Sequence, residues 1–108
     1  MERFGERFLR RVFTEDEIAF CQLKKRNAAE SFAARFAAKE AAAKALGTGI
    51  SRGVSWLEIE VRRQAGEKPH LVLTGRAAAR ADDMGVRRSQ LTLTHSRDVA
   101  MAVVLLED

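Results

Sequence analysis

Residues 32–49 read FAARFAAKEAAAKALGTG, and this stretch decides the fold. Between positions 28 and 46, ten of nineteen residues are alanine, the best helix former. Gly47 follows at a typical helix stop. The sequence therefore predicts a long helix from about Ala28 to Leu46 and a turn over residues 47–49. Because alanine removes bulk from much of the helix surface, we expect neighbouring elements to pack closely around it.

Charged side chains lie on this predicted helix in two pairs, Arg35 with Lys39 and Glu40 with Lys44. Residues four apart share one face of a helix. An ordinary surface ion pair, contributing roughly 0.3 to 0.5 kcal/mol, is one interpretation of such a spacing. A carboxylate beside three cations also offers a metal ligand and phosphate partners, and charges on a closely surrounded helix need partners or a ligand. Spacing alone leaves both interpretations open.

Two shorter helices are predicted before the alanine-rich one. Phe4 and Phe8 recur at helical spacing with arginines opposite them, which predicts an amphipathic helix over residues 2–12 with a basic outer face. Thr14 followed by Glu17 is a capping-box pattern, so a second helix should run over residues 15–26. The lone cysteine, Cys21, fits this helix as a small apolar filler.

Beyond residue 53 the spacing of apolar residues changes from helical to alternating, which predicts strands. We expect one strand over residues 54–61 and a short one over residues 71–73. A loop containing Gly66, Lys68 and Pro69 lies between them. The two strands should therefore form a hairpin.

The C-terminal part continues with a predicted helix over residues 76–84 and two strands over residues 91–94 and 99–106. A tight turn at residues 96–98 should join these strands. The last strand is almost wholly apolar, so it belongs inside a sheet or at an interface. We therefore predict a single α+β domain over residues 1–108, with helices on one face of a small antiparallel sheet.

A second group of chemically versatile residues falls where the predicted strand 91–94 ends: Thr92, Thr94, His95 and Ser96. Hydroxyls and an imidazole at a strand end can bind phosphate oxygens, although a single histidine there is more often structural. The other histidine, His70, lies in a different loop, so the sequence gives no pattern for zinc.

A net charge of +4 favours an anionic partner, which could be nucleic acid, a phosphorylated cofactor or an acidic protein. Nucleic acid is the weakest of these, because the chain has no tyrosine and its phenylalanines lie mostly at helix-core spacing. No apolar run approaches the roughly 20 residues that a membrane helix needs, and no signal-peptide pattern opens the chain. We therefore expect a cytoplasmic protein that binds neither nucleic acid nor membrane.

Four blocks resemble, in order and spacing, the holo-acyl-carrier-protein synthases, which are the short 4'-phosphopantetheinyl transferases. The blocks are FAARFAAKEAAAKALGTGI, WLEIEV, GEKPHLVLTG and LTLTHSRDVAMAVVLLE. The resemblance covers the chain from about Arg3 to Glu107. It implies Mg²⁺-dependent transfer of the phosphopantetheine arm of coenzyme A to a serine of acyl carrier protein, with release of adenosine 3',5'-bisphosphate, in fatty acid biosynthesis. It also implies a homotrimer with sites at the subunit interfaces.

The resemblance also implies roles for individual residues. Glu40 matches a metal-ligand glutamate, Lys44 a lysine that faces the diphosphate, and His95 a catalytic histidine placed to bind phosphate. Arg3, Phe4 and Arg7 look like the surface that docks the acidic helix of the carrier protein. The implied cofactor-binding set is Arg35, Lys39, Gly66, Lys68, Pro69, Thr94 and His95.

One departure from the family concerns the metal. Family members begin with an apolar strand that ends in a GxD motif, whose aspartate is the second protein ligand of Mg²⁺, and the present sequence starts after it. The acids at residues 15–17 belong to a helix start and do not replace it. Two outcomes therefore stay open: an enzyme that binds metal weakly and turns over slowly, and a non-catalytic module that binds coenzyme A or carrier protein. A basic nucleic-acid-binding domain is the third alternative.

Overall fold

The computed structural model describes residues 3–47, 53–63, 66–95 and 100–107. These residues form four helices and four strands. In chain order they are α1 (Arg3–Val12), α2 (Glu15–Gln22), α3 (Ala28–Ala45), β1 (Ile59–Arg62), β2 (His70–Leu73), α4 (Gly75–Asp83), β3 (Arg88–His95) and β4 (Ala100–Glu107). Single 3-10 turns at Lys25–Asn27 and Trp56–Glu58 precede α3 and β1. The predicted α+β class is confirmed.

The helix predictions hold except at the end of α2. The capping box at its start is formed, because the Glu17 amide donates to Thr14 Oγ1 at 3.2 Å and the Thr14 amide donates to Glu17 Oε1 at 2.9 Å. The predicted end at residue 26 is wrong. Lys25 has a φ of 47°, which an α-helical residue cannot have, so the chain leaves α2 after Gln22 and turns into α3.

The predicted start of the first strand at residue 54 is also wrong. Ser55 and Glu58 form a second capping box: the Leu57 amide donates to Ser55 Oγ at 3.2 Å, and the Ser55 amide donates to Glu58 Oε1 at 2.9 Å. This local bonding holds Trp56–Glu58 in a 3-10 turn, so β1 begins only at Ile59.

The strands form two antiparallel pairs rather than one ladder. β1 pairs with β2 from Ile59 opposite Leu73 to Arg62 opposite His70, which confirms the predicted hairpin. β3 pairs with β4 from Arg88 opposite Glu107 to His95 opposite Ala100, so β3 starts earlier than predicted. In the described part of the chain β2 lies beside β3 without a hydrogen-bonded ladder between them. The tight turn expected at residues 96–98 falls outside the described residues.

Helix α3 lies between two apolar cores. One core contains the alanines of its C-terminal half, the β1–β2 hairpin and α4, and the inward side chains of β3 and β4 pack against it. The other contains Phe32 with residues of α1 and α2, including Cys21, whose side chain is wholly enclosed as expected. Burial raises the pKa of the Cys21 thiol. No helix within the described ranges is long and apolar enough to cross a membrane.

Candidate functional site

Glu40 and Lys44 project from the exposed side of α3. The surface ion pair that their spacing suggested does not form. Among the residues that the structure describes, neither side chain has a hydrogen bond or a salt bridge. A free carboxylate and a free ammonium group one helical turn apart are therefore available to a ligand.

Lys39, unlike Glu40 and Lys44, is fully buried, with a side chain that is 0% exposed. Its Nζ lies 2.8 Å from Glu17 Oε1 and donates to the carbonyl oxygens of Trp56 at 2.9 Å and Ile59 at 2.7 Å. An ammonium group has three protons, and these three contacts use all of them. The expectation that Lys39 binds the cofactor is therefore corrected: the side chain is committed to the interior of the fold and has no donor left for a phosphate.

Arg35, one turn before Lys39, is 3% exposed but is not fully paired. Its Nη1 atom donates to Ser31 Oγ at 3.0 Å, and its guanidinium carbon lies 4.3 Å from the centre of the Phe20 ring. The Nε atom is buried and has no hydrogen-bond partner in the described part of the chain. Burial, the largest cause, lowers the pKa of Arg35. A buried, incompletely satisfied arginine is a ready anion-binding group.

Arg35 lines a small cavity of about 170 Å³. Two further cations, Lys24 and Arg63, face the same space, and Ser31 and Asn27 add polar groups. The described lining residues include no carboxylate. The full lining consists of Phe20, Lys24, Asn27, Ser31, Ala34, Arg35, Arg63 and Leu93. The cavity therefore favours an anionic group such as a phosphate.

A larger cleft of about 910 Å³ adjoins this cavity. The loop and strand start at residues 66–70 form one wall and β3 residues 89–93 form the other. The cleft thus includes Gly66, Lys68 and Pro69, which the sequence singled out together. Arg63 and Leu93 line both spaces, so an elongated ligand can occupy the cleft with one end in the cationic cavity.

The other candidate residues are placed only in part. Thr94 and His95 end β3, and Arg3 and Phe4 begin α1, but the side chains of all four lie outside what the structure describes. Arg7 is exposed on α1, as are Arg10 and Arg11. The predicted basic outer face of α1 is therefore present at these three positions.

Sequence reasoning missed Lys24 and Arg63 as site residues. In the sequence both are simply basic residues, because nothing local indicates that the residues following α2 and β1 lie beside Arg35. Ser31 and Arg35 are one helical turn apart, and this spacing alone could have predicted that their side chains are in contact.

Glu40 offers a single carboxylate to a metal ion. In the described ranges no group of three His, Cys, Asp or Glu side chains could hold a metal by itself. Magnesium, however, is often bound by one or two carboxylates together with substrate phosphates and water. Glu40, whose carboxylate is unpaired among the described residues, could supply one such carboxylate ligand.

Comparison with known proteins gives a consistent result. A family model described as the 4'-phosphopantetheinyl transferase superfamily matches residues 1–104. The chain is 52% identical over 108 residues to a holo-acyl-carrier-protein synthase of Koribacter versatilis, covering 100% of this chain and 86% of that protein. It is 54% identical over 103 residues to one of Anaeromyxobacter dehalogenans, covering 95% and 77%.

Solved structures agree with the sequence relatives. The crystal structure of Helicobacter pylori holo-acyl-carrier-protein synthase in complex with coenzyme A superposes with a TM-score of 0.82 at 30% identity, over 98% of this chain and 86% of that one. The Bacillus anthracis synthase, in complex with CoA (3',5'-ADP), gives a TM-score of 0.76 at 37% identity, over 96% of this chain and 83% of that one.

Proposed function

The chain belongs to the 4'-phosphopantetheinyl transferase superfamily, among the holo-acyl-carrier-protein synthases, and from this premise we propose its reaction. It transfers the 4'-phosphopantetheine group of coenzyme A to a serine of acyl carrier protein, with Mg²⁺, and releases adenosine 3',5'-bisphosphate. The observation that carries the proposal is the cleft beside β3, which shares Arg63 and Leu93 with the cationic cavity at Arg35. An elongated molecule with several phosphates is the ligand that this shape and charge suit.

Coenzyme A would occupy both spaces. Arg35, with Lys24 and Arg63 beside it, binds one of its phosphates, and the buried Nε of Arg35 gains a partner. The loop residues Gly66, Lys68 and Pro69 lie along its adenine. His95 and Thr94, at the end of β3, supply further phosphate contacts.

The chemistry is phosphoryl transfer. The serine hydroxyl of the carrier protein loses its proton to solvent and its oxygen bonds to the phosphorus that bears the pantetheine arm, while the bond from that phosphorus to the departing bisphosphate breaks. Glu40 would hold Mg²⁺, which when bound neutralises charge on the diphosphate. Lys44, which is exposed on α3, stabilises the negative charge that develops on the leaving bisphosphate.

The carrier protein docks on α1. Arg7, Arg10 and Arg11 form an exposed basic face there, and Arg3 and Phe4 extend it toward the N-terminus. A positive face of this kind attracts an acidic helix and orients it before contact. Carrier protein and coenzyme A as substrates imply a cytoplasmic location.

We also propose that the active assembly is a homotrimer. β4 carries apolar side chains on both faces: Val104 and Leu106 pack on the core, while Val103 and Leu105 are 54% and 53% exposed. An exposed apolar strand face of this kind suits a subunit interface. Light scattering coupled to size-exclusion chromatography should give three times the chain mass, and a monomer at micromolar concentration would contradict this.

Intact-mass spectrometry of apo carrier protein, incubated with the chain, coenzyme A and Mg²⁺, tests the function. We expect the mass to increase by one phosphopantetheine group, and Glu40→Gln to remove the Mg²⁺-dependent increase. Asp82→Asn, which neutralises an exposed carboxylate on α4, is the matched control and should retain it.

Two outcomes would contradict the proposal. Coenzyme A binding without any transfer, even at stoichiometric enzyme, would identify a non-catalytic binding module. Retarded mobility of DNA or RNA in a gel, without coenzyme A binding, would identify a nucleic-acid-binding domain.

A further inference from the structure

A fully buried ion pair joins α2 to α3. Glu17 and Lys39 are 1% and 0% exposed, and Lys39 Nζ lies 2.8 Å from Glu17 Oε1. The Glu17 carboxylate also accepts the amide of Thr14 at 2.9 Å and that of Val61 at 2.8 Å. With the carbonyl contacts of Lys39, the pair connects α2, α3, β1 and the turn before β1.

A gain in stability does not explain why such a pair is buried. Removing two charges from water costs several kcal/mol per ion, and apolar replacements of similar size are often neutral or stabilising. Burial is the largest cause that lowers the pKa of Lys39, with Glu17 acting in the opposite direction. What a fully bonded pair does provide is a unique geometry, because its hydrogen bonds form in only one arrangement.

The C-terminal half of α3 buries mostly small side chains, and the fully buried Leu46 follows it. Residues 37–45 consist of six alanines and the three charged residues Lys39, Glu40 and Lys44. Glu40 and Lys44 are exposed, so Lys39 is the one long side chain of this segment that enters the interior. Small alanine side chains leave a helix free to rotate slightly against its neighbours, since apolar packing alone specifies geometry loosely.

The rotation of α3 determines where Glu40 and Lys44 point. Successive helix residues are about 100° apart, which places Glu40 about 100° from Lys39 and about 40° from Lys44. A carboxylate about 6 Å from the helix axis moves by about 1 Å when the helix rotates by 10°. A displacement of about 1 Å at a reacting group can reduce a rate by about 100-fold.

We propose that Glu17 and Lys39 are positioning residues, which fix the rotation of α3 and thereby hold Glu40 and Lys44 where metal and diphosphate meet them. This inference rests on the proposed transferase function. Neither residue touches substrate. They act through the backbone of α3, as the supporting hydrogen bonds around metal ligands do in other sites.

The test compares Glu17→Gln, Lys39→Met and the double variant with the wild type. Asp82→Asn is the control, because Asp82 is an exposed carboxylate on α4 that forms no hydrogen bond or salt bridge with either described member of the pair. Urea unfolding first establishes that each variant folds cooperatively. Amide hydrogen exchange of residues 37–45 then reports on α3, and Mn²⁺ binding in the presence of coenzyme A, followed by electron paramagnetic resonance, reports on the metal.

We expect faster exchange of residues 37–45 in both single variants, and an apparent KM for Mg²⁺ and a dissociation constant for Mn²⁺ that rise by about 10- to 100-fold. The KM for carrier protein, which docks on α1, should stay near the wild-type value. Asp82→Asn should change neither exchange nor metal dependence.

The double variant separates positioning from stability. Without an unpaired buried charge, it should be more stable than the less stable of the two single variants. Its metal dependence should stay impaired, because the directional contact is still absent. If the pair served stability alone, the double variant would regain wild-type metal dependence as it regained stability. That result would overturn the proposal.

Failure of the proposed function gives a different pattern. If the wild type neither transfers phosphopantetheine nor binds Mn²⁺, the transferase proposal fails and the role assigned to the pair fails with it. If the wild type is active but both folded single variants show wild-type exchange and wild-type metal dependence, the transferase proposal stands and the positioning proposal is overturned.

Discussion

Replacing Arg35 with methionine should weaken coenzyme A binding strongly while changing the free energy of unfolding little. A hydrogen bond to a charged group contributes about 1.5 to 3 kcal/mol, and about 1.4 kcal/mol is a factor of ten in affinity. Loss of the phosphate contact should therefore raise the dissociation constant for coenzyme A by about 10- to 100-fold.

The small effect on stability follows from the surroundings of Arg35 in the free protein. The variant loses the bond to Ser31 Oγ at 3.0 Å and the stacking on Phe20 at 4.3 Å. It also removes a buried charge whose Nε lacks a partner among the described residues. These effects are each roughly 1 to 3 kcal/mol and have opposite signs, so we expect a net change within about 1 kcal/mol.

Titration calorimetry with coenzyme A and urea unfolding measure the two quantities separately. Arg87→Met is the matched control, because it removes the same charge from an exposed arginine that lines neither cavity. A folded Arg35→Met variant with wild-type affinity would show that Arg35 does not bind a phosphate of coenzyme A. So would a loss of several kcal/mol of stability, which would make Arg35 a structural cation.

Three further predictions concern α3 and α4. Lys44→Met should lower kcat, measured by single turnover, by about 100-fold. The dissociation constant of coenzyme A, measured by calorimetry, should stay within a factor of about three. If catalysis and coenzyme A binding weakened equally, Lys44 would not act in the transition state alone. Hydrogen bonds from the amides of Ser55 and Arg76 lower the pKa of Glu58, so the stability it contributes is present at neutral pH and is lost as pH falls through that lowered pKa. Glu58→Gln should therefore flatten the acid side of the urea midpoint measured against pH, and an unchanged acid side would refute this. Gly75→Ala should lower the free energy of unfolding by about 1 to 3 kcal/mol, because Gly75 has a φ of 52° and a methyl group there would overlap the Glu58 carboxylate. Gly85→Ala should lower the free energy of unfolding less, because Gly85 has a φ of 77° but open space around it. Equal decreases for the two variants would exclude the overlap as the cause.

The elements that the sequence predicted well are those with local causes. Helix α3 follows from alanine content, and the start of α2 from the Thr14 and Glu17 capping box. The strand start at residue 54 failed because a second capping box, at Ser55 and Glu58, competes with the alternating pattern. That box was visible in the sequence, but alternation alone does not say which of the two local preferences prevails.

The candidate site was predictable only where it is contiguous in the chain. The loop with Gly66, Lys68 and Pro69 does line the larger cleft. The burial of Lys39 was not predictable, because its partners are a glutamate on α2 and carbonyl groups near β1, and tertiary packing brings them together. For the same reason Arg63 could not be distinguished in advance from other exposed arginines.

The central claim is that this chain moves phosphopantetheine onto a carrier-protein serine. The most direct measurement is fragmentation mass spectrometry of the carrier protein after reaction, combined with chromatographic quantification of released adenosine 3',5'-bisphosphate. We expect one modified serine per carrier protein and an equal amount of released bisphosphate. Unmodified carrier protein, or bisphosphate released without a modified serine, would contradict it.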